Sequence, residues 1–263
     1  MRVVSVVSLK GGVGKTTVTL GLAGAALKRG LRTLLIDLDP QANATTVVDP
    51  AQVAFTINDV LADSRAGILA EAITPSGWGE ALDLVASERA LEHRTVPEGQ
   101  GALRLRVTMQ GLQGRYDLVL IDTPPALGEL TRNALAASDQ ALVVTEPAMF
   151  ALQGAQQALE AIGVVRGYNL RLQVAGIVVN KVRTQSAEHR YRLAELALTY
   201  GDLVLQPPLP DRAVVQQAAG ACLPLQAWHS APAREVSAIY DGYLEHVVGA
   251  ELTDNPLRLN ADA

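Results

Sequence analysis

A run of glycines between an apolar segment and a helix-forming segment constrains this chain more than any other feature. Val3–Ser8 is rich in valine, Gly11, Gly12 and Gly14 follow it, and Lys15–Arg29 has the apolar spacing of a helix. Glycines let successive backbone N–H groups converge on an anion, and a helix start adds its own unpaired N–H groups. The segment therefore predicts a strand, a phosphate-binding loop and a helix, rather than an ordinary glycine-rich turn.

The polar side chains of this loop suit a nucleoside triphosphate. Lys15 is expected to reach the β- and γ-phosphates, and the hydroxyl of Thr16 to ligate the magnesium ion that bridges them. The standard phosphate-loop pattern has glycine where this chain has Leu9, and Lys10 adds a second positive charge. The loop residues predicted to bind the nucleotide are Lys10, Gly11, Gly12, Val13, Gly14, Lys15, Thr16 and Thr17.

Acidic residues follow two other apolar runs. Asp37 and Asp39 come after Leu34–Ile36, and Asp122 comes after Leu118–Ile121. Ligands of doubly wound sheets lie beyond the carboxyl ends of the strands, so these acids are expected near the loop. Asp122 is predicted to hold Mg²⁺ directly or through water, and Asp39 to orient the attacking water, while Asp37 is interpreted as loop support. Taken singly, each could instead be a turn or helix-cap residue.

Short β-branched or leucine-rich runs alternate with longer helical segments, which is typical of parallel strands joined by crossover helices. The pattern predicts one α/β domain with a mostly parallel twisted sheet of about seven to eight strands and helices on both faces. The predicted strands are Val3–Ser8, Thr33–Asp37, Leu82–Ala86, Leu118–Asp122, Gln140–Thr145, Leu172–Asn180 and Leu203–Leu205. The predicted helices are Lys15–Arg29, Ala102–Leu112, Glu129–Ala137, Ala151–Arg166, Ser186–Tyr200, Arg212–Ala219 and Pro232–Val248.

The domain is expected to cover residues 1–250. Segment 41–80 is the least regular part and is interpreted as an insertion of loops with one or two short helices over the sheet edge. Residues 251–263 are polar and lack periodicity, so they are expected to form a flexible tail.

Composition and charge exclude several classes of protein. Hydrophobic residues make up 49% of the 263 residues, enough for a core. The 22 basic and 27 acidic residues give a net charge of −5, so any nucleic-acid contact must come from a local patch. Cys222 is the only cysteine, which excludes an internal disulfide or a CxxC metal site. No signal peptide or span of roughly 20 apolar residues is recognisable, so a cytoplasmic protein is expected.

Three motifs together closely resemble the ParA/Soj family of deviant Walker-type ATPases, which have the P-loop NTPase fold. They are Lys10–Thr17, Asp37–Asn43 and Asp122–Pro125, and the resemblance continues through Leu127–Gly128, Thr131, Asn133–Leu135, Glu146–Pro147 and Phe150–Gly154. The resemblance implies ATP and Mg²⁺ as cofactors and a homodimer that sandwiches ATP. It makes Lys10 the lysine that reaches the partner's nucleotide and Asp39 the hydrolytic aspartate, so Lys10, Lys15 and Asp39 are the expected catalytic residues.

The resemblance also suggests where adenine binds. The matching positions are Asn180 and Pro208–Asp211, of which Pro208 and Pro210 are taken as contacts. Asn180 could instead simply close a strand.

Family members bind DNA nonspecifically as ATP-bound dimers and act with a ParB-like activator, which implies association with the nucleoid. A few basic residues per subunit, doubled by a dimer, can bind phosphates even in an acidic protein. They could also be a solvated helix face. The candidate DNA-binding residues are Lys181, Arg183, Arg190, Arg192, Arg212 and Arg234.

Relatives of this family with other functions need particular residues. MinD-like relatives end in a basic amphipathic helix, but Pro232–Val248 contains Arg234 and His246 against three acidic residues, so no membrane partner is expected. Iron–sulfur relatives need bridging cysteines. The phosphate loop starts at residue 10, so no N-terminal DNA-reading domain is expected. Two alternatives stay open: a ParA-like ATPase that positions a protein cargo, and an ATP-dependent metabolic enzyme resembling dethiobiotin synthetase.

Overall fold

The computed structural model describes residues 1–93, 101 and 103–249. The strands in these residues are β1 Arg2–Val7, β2 Thr33–Asp37, β3 Ile73–Pro75, β4 Leu82–Val85, β5 Leu118–Asp122, β6 Gln140–Thr145 and β7 Gln173–Val179. The α-helices are α1 Lys15–Lys28, α2 Asn43–Val48, α3 Ile57–Asp63, α4 Arg104–Thr108, α5 Glu129–Ala137, α6 Ala151–Arg166, α7 Ala187–Tyr200, α8 Ala213–Gly220 and α9 Ala231–Val248. Short 3₁₀ turns cover Ile68–Ala72, Arg89–His93, Gly201–Leu203 and Leu225–Ala227.

The strands form a seven-stranded sheet in the order β3-β4-β2-β5-β1-β6-β7. Neighbouring strands are parallel except at one edge, where β3 pairs antiparallel with β4. The prediction of a mostly parallel sheet of about seven to eight strands is confirmed.

Apolar residues on both faces of the strands explain why helices cover the sheet on two sides. In β2, Leu35 packs with α1, α2, α8 and α9, whereas its neighbours Leu34 and Ile36 pack with α3, α4 and α5. Towards the other edge, α5 and α6 cover the sheet and α7 packs beside α6. Strands buried on both faces read as continuous apolar runs, which is why the central strands could be located from sequence.

The strand order determines which loops meet. Because β5 lies between β1 and β2, the loops that follow these three strands emerge side by side at one edge of the sheet. The register brings the ends of the three strands close together, since Asp122 of β5 is paired with Asp37 of β2 on one side and with Val6 of β1 on the other. This edge carries the predicted site.

The predicted strand Leu203–Leu205 is wrong. Gly201–Leu203 forms a 3₁₀ turn, and Val204 makes only an isolated parallel bridge to Ile177 of β7. Three prolines at 207, 208 and 210 follow and lack the backbone N–H that a ladder needs. The segment therefore runs along the sheet edge without forming a strand.

Two other segments differ in detail from the prediction. Segment 41–80 contains α2, α3 and a 3₁₀ turn, as expected, and also the edge strand β3, which the sequence did not signal. The helix predicted at Ala102–Leu112 is shorter, since α4 ends before Gly111, which has a left-handed φ of 86°. Its predicted first residue, Ala102, and the predicted tail 251–263 lie outside the described residues.

Gly21 allows α1 and α9 to pack closely behind the phosphate loop. A Cβ atom at Gly21 would lie 2.2 Å from Cζ of Tyr240, nearer than carbon atoms can approach. The Tyr240 ring is 1% exposed, and its hydroxyl donates to the carbonyl of Thr17 at 3.3 Å. The approach of these two helices thus depends on the absence of a side chain at Gly21.

Replacing Gly21 with alanine should therefore lower the free energy of unfolding by about 1–3 kcal/mol, the usual cost of overpacking a core. Gly163→Ala in α6 is the matched control, because nothing lies within 4 Å of its added Cβ. That control should be neutral or stabilise by about 0.5–1 kcal/mol. Urea unfolding measures both, and equal stabilities of the two variants would contradict the close contact.

Candidate functional site

The loop between β1 and α1 has the backbone geometry of an anion cradle. Gly12 and Gly14 have left-handed φ values of 80° and 93°, and Gly14 directly precedes the first turn of α1. A Cβ at Gly14 would lie 2.2 Å from Nδ2 of Asn180. Glycine is thus required at this position both by the backbone angle and by the neighbouring side chain.

Lys15 places a buried positive charge at the start of α1. The residue is 6% exposed. Burial lowers the pKa of Lys15 below its ordinary value, while the carboxylates of Asp122 and Asp39 act in the opposite direction. A buried ammonium group is costly without a counter-charge, so the loop is electrostatically prepared for an anion.

Asp122 lies at the end of β5, directly below the loop. Its carboxylate accepts hydrogen bonds from the hydroxyls of Thr16 at 2.7 Å and Thr19 at 3.0 Å. Burial, with the nearby Asp37 carboxylate, raises the pKa of Asp122 to about 7. Burial likewise raises the pKa of Asp37 to about 6. Two acids thus share a buried region in which the ionisation of both is disfavoured.

These residues fit a magnesium ion. The hydroxyl of Thr16 and the carboxylate of Asp122 are the hard oxygen donors that Mg²⁺ prefers. A divalent cation beside them would also offset the buried negative charge and favour the ionised carboxylates.

Asp37 and Asp39 have different surroundings. Asp37 accepts hydrogen bonds from the backbone N–H groups of Asp39 at 3.0 Å and Thr45 at 2.8 Å, and from the Thr45 hydroxyl at 2.8 Å. Asp39 accepts a hydrogen bond from the Gln41 backbone at 2.9 Å and lines the adjacent cavity. Asp37 therefore holds the loop in place, and Asp39 is a residue of the cavity wall.

A cavity of about 410 Å³ lies between the loop and segment 209–216. Of the predicted contacts, it is lined by Gly12, Gly14, Lys15, Thr16, Thr17, Asn180 and Pro210. Pro208 lines a neighbouring cavity instead, which Pro210 also lines, so its predicted contact with the nucleotide stays a prediction. Val13 is buried, and neither Lys10 nor Gly11 lines the cavity. The volume is of the size that small-molecule sites have.

Several lining residues escaped the sequence analysis. They come from the segment after Asp39, from α8 and its start, and from α9: Gln41, Asn43, Arg212, Val215, Gln216, Val236 and Tyr240. The motif Asp37–Asn43 could have identified the first two. The others carry no motif and reach the site only through the packing of α8 and α9 on α1.

Asn180 and Lys181, at the end of β7, support the loop from the side. The Asn180 amide donates to the carbonyl of Val13 at 2.8 Å, and the Lys181 ammonium donates to the carbonyl of Gly12. Both residues line the nucleotide-sized cavity. Lys181 therefore supports the loop at this cavity, and its predicted contact with DNA stays a prediction.

Lys10 does not line the cavity that Lys15 lines. Its side chain is 51% exposed and forms an ion pair with Glu146, which follows β6. The two lysines of the loop are thus separated in space. One is buried beside the cavity, and the other remains at the surface.

The five arginines predicted to bind DNA are bonded within the chain. Ion pairs join Arg183 to Asp211 at 2.7 Å, Arg192 to Glu188 and Glu195 at 2.7 and 3.0 Å, and Arg212 to Glu235 at 2.9 Å. Arg190 and Arg234 instead donate to backbone carbonyls. Of the five arginines, Arg190 and Arg234 are thus the two that form no ion pair with an acidic residue in the described part of the chain.

Within the described part of the chain, no helix combines the length and the apolar character needed to cross a membrane.

Comparison with known proteins relates the site to a family. The family model described as an AAA domain matches residues 1–174. The chain is 34% identical over 226 residues to the chromosome partitioning protein ParA of Caulobacter vibrioides, covering 83% of this chain and 84% of the relative. It is 30% identical over 223 residues to the sporulation initiation inhibitor protein Soj of Bacillus subtilis, covering 82% and 87%.

Solved structures share the fold. Cobyrinic acid a,c-diamide synthase from Mycobacterium smegmatis, with bound ADP and magnesium, has a TM-score of 0.77 and 28% identity, covering 94% of this chain and 95% of that chain. McdA from Cyanothece in its apo form has a TM-score of 0.81 at 21% identity, covering 94% and 99%. A plasmid partition protein from Borrelia burgdorferi bound to AMPPNP has a TM-score of 0.76 at 23% identity, covering 93% and 97%.

The chain belongs to the ParA/Soj family of partition ATPases.

Proposed function

We propose that the chain is a slow ATPase that switches between a monomer and an ATP-bound homodimer. The dimer binds DNA without sequence preference, associates with the nucleoid, and drives chromosome or plasmid partition with a ParB-like activating partner. The observation that carries the proposal is the separation of the two loop lysines. Lys15 is buried beside the cavity, whereas Lys10 is half exposed at the surface, where a second subunit could be reached.

The residues of the site divide the work of ATP hydrolysis. The backbone of the loop and Lys15 bind the phosphates, and Thr16 and Asp122 hold Mg²⁺, which supplies neutralisation of the developing phosphate charge. Asp39 orients the attacking water, a role supported by its place in the lining of the cavity. Asn180 and Pro210 line the same cavity and are the proposed contacts of the base. Hydrolysis would remove the contacts that favour the dimer, which makes the nucleotide a population switch.

Asp39→Ala should separate nucleotide binding from hydrolysis. We expect the single-turnover rate to fall by about tenfold or more while ATP affinity stays within about threefold, because water positioning acts on the transition state. The variant should accumulate as an ATP-bound dimer in light scattering after size exclusion. Lys15→Ala is the contrasting variant and should lose measurable ATP binding. Failure of Asp39→Ala to bind ATP would refute its assigned role.

Lys10→Ala should spare ATP binding and abolish the dimer. The side chain does not line the nucleotide cavity, so its removal affects only the approach to the second subunit. Its ion pair with Glu146 is exposed and worth little, about 0–1 kcal/mol, so the monomer should be as stable as the wild type. Sedimentation with ATP in the Asp39→Ala background measures the dimer. Lys28→Ala, which removes another exposed, ion-paired lysine, is the control and should still dimerise.

DNA binding should require ATP and should depend on the arginines that lack an acidic neighbour. Arg190→Ala and Arg234→Ala are expected to weaken cosedimentation with random-sequence duplex DNA. Each should also lower the slope of log affinity against log salt concentration by about one for every DNA phosphate that the protein no longer neutralises. Arg192→Ala is the control, since its charge is already paired with Glu188 and Glu195.

Cosedimentation with DNA, together with the oligomeric state and the rate of ATP hydrolysis, distinguishes the alternatives. An ATP-dependent dimer that does not bind DNA would support the alternative that the protein positions a protein cargo. A monomer that hydrolyses ATP only with a small acid would favour the metabolic enzyme, a second candidate supported by the likeness to the Mycobacterium smegmatis synthase.

A further inference from the structure

The hydroxyl of Thr45 occupies an unusual position between the site's acids and the end of β4. It donates a hydrogen bond to Oδ2 of Asp37 at 2.8 Å and accepts one from the backbone N–H of Ser87 at 2.9 Å. The Thr45 backbone N–H donates to the same carboxylate oxygen at 2.8 Å. The hydroxyl therefore acts as donor and acceptor at once.

Ser87 continues the connection to Asp39. Its hydroxyl donates to the carbonyl of Asp39 at 2.7 Å, and the Asp39 backbone N–H donates to Oδ1 of Asp37 at 3.0 Å. Four residues thus form a closed ring of hydrogen bonds, from Asp37 through Thr45 and Ser87 to Asp39 and back. The ring fixes the backbone of Asp39 on both its N–H and its carbonyl side.

The ring lies behind the wall of the cavity. On this side the wall consists of Asp39, Gln41 and Asn43, and neither Thr45 nor Ser87 is among the lining residues. Thr45 therefore influences bound nucleotide only through other members of the ring, either Asp39, which lines the cavity, or Asp37, which lies beside Asp122.

We propose that Thr45 is a positioning residue for ATP hydrolysis, whose hydroxyl sets the orientation of the Asp39 loop. The inference rests on the proposed function, in which Asp39 orients the attacking water. A misplacement of a catalytic group by about 1 Å can cost about 10²-fold in rate. Only a side chain that donates and accepts at once can hold both Asp37 and Ser87, which serine can do and valine cannot.

The test compares three variants of neighbouring threonines in single-turnover and steady-state ATP hydrolysis. Thr45→Val, which keeps the shape, should lower kcat by about tenfold or more and leave the KM for ATP within about twofold, as expected for a group that acts on the transition state alone. Thr45→Ser should restore the rate to within about threefold, since it restores the hydroxyl. Thr46→Val is the matched control, because the Thr46 hydroxyl bonds only to the carbonyl of Ala42.

Thermal unfolding of each variant checks that the fold is retained. Should Thr45→Val fail to fold, Ser87→Ala removes the other hydroxyl of the ring and should show the same decrease in kcat at unchanged KM. Where both single variants fold, the two decreases should be less than additive in the double variant, because both act through one ring.

Equal rates for Thr45→Val and wild type would overturn the inference and leave the proposed function standing. A rise in KM at unchanged kcat, or equal decreases in Thr45→Val and Thr45→Ser, would also overturn it. A wild-type protein that binds ATP but never hydrolyses it would instead refute the proposed function itself.

Discussion

The pairing of Asp37 and Asp122 across β2 and β5 is the constraint on which the site depends. The register places these two acids side by side at the buried edge of the sheet, where burial raises the pKa of both. Buried carboxylates at such proximity require hydrogen bonds and a counter-charge. The hydrogen bonds are supplied by Thr16, Thr19 and Thr45. The counter-charge comes in part from Lys15 and would be completed by a divalent cation.

The same strand order explains why the phosphate loop is supported from two sides. β1 lies between β5 and β6, so the loop after β1 contacts the Asp122 region on one side. On the other side, the end of β7 supplies Asn180 and Lys181, which hold the carbonyls of Val13 and Gly12. Holding these carbonyls restrains the backbone of the loop, and such preorganisation favours the binding of an anion by backbone N–H groups.

Sequence patterns could locate the central strands and the loop because their causes are local. A strand buried on both faces must be apolar, and a left-handed turn at Gly14 must lack a side chain. The same reasoning placed Asp37, Asp39 and Asp122 at one edge, given a parallel sheet. It failed for Leu203–Leu205, where an apolar run is overridden by the prolines that follow. It also could not find the contact of Lys181 with the loop or the Thr45 ring, since each depends on residues that are distant in the chain. It missed β3 because this strand has only three residues and ends in a proline, although its partner β4 is the next strand along the chain.

Charge placement separates the nucleotide site from the surface that is proposed to bind DNA. Arg183 and Arg212 have acidic partners, and the chain as a whole is negative. A monomer with such pairing presents a weak positive field, because paired charges attract phosphate less than free ones do. Dimerisation would double each remaining cation without changing any contact within the chain. Affinity for a polyanion rises steeply with the number of phosphates neutralised together. In the proposed switch, the oligomeric state would therefore control DNA affinity without any rearrangement of the basic residues themselves.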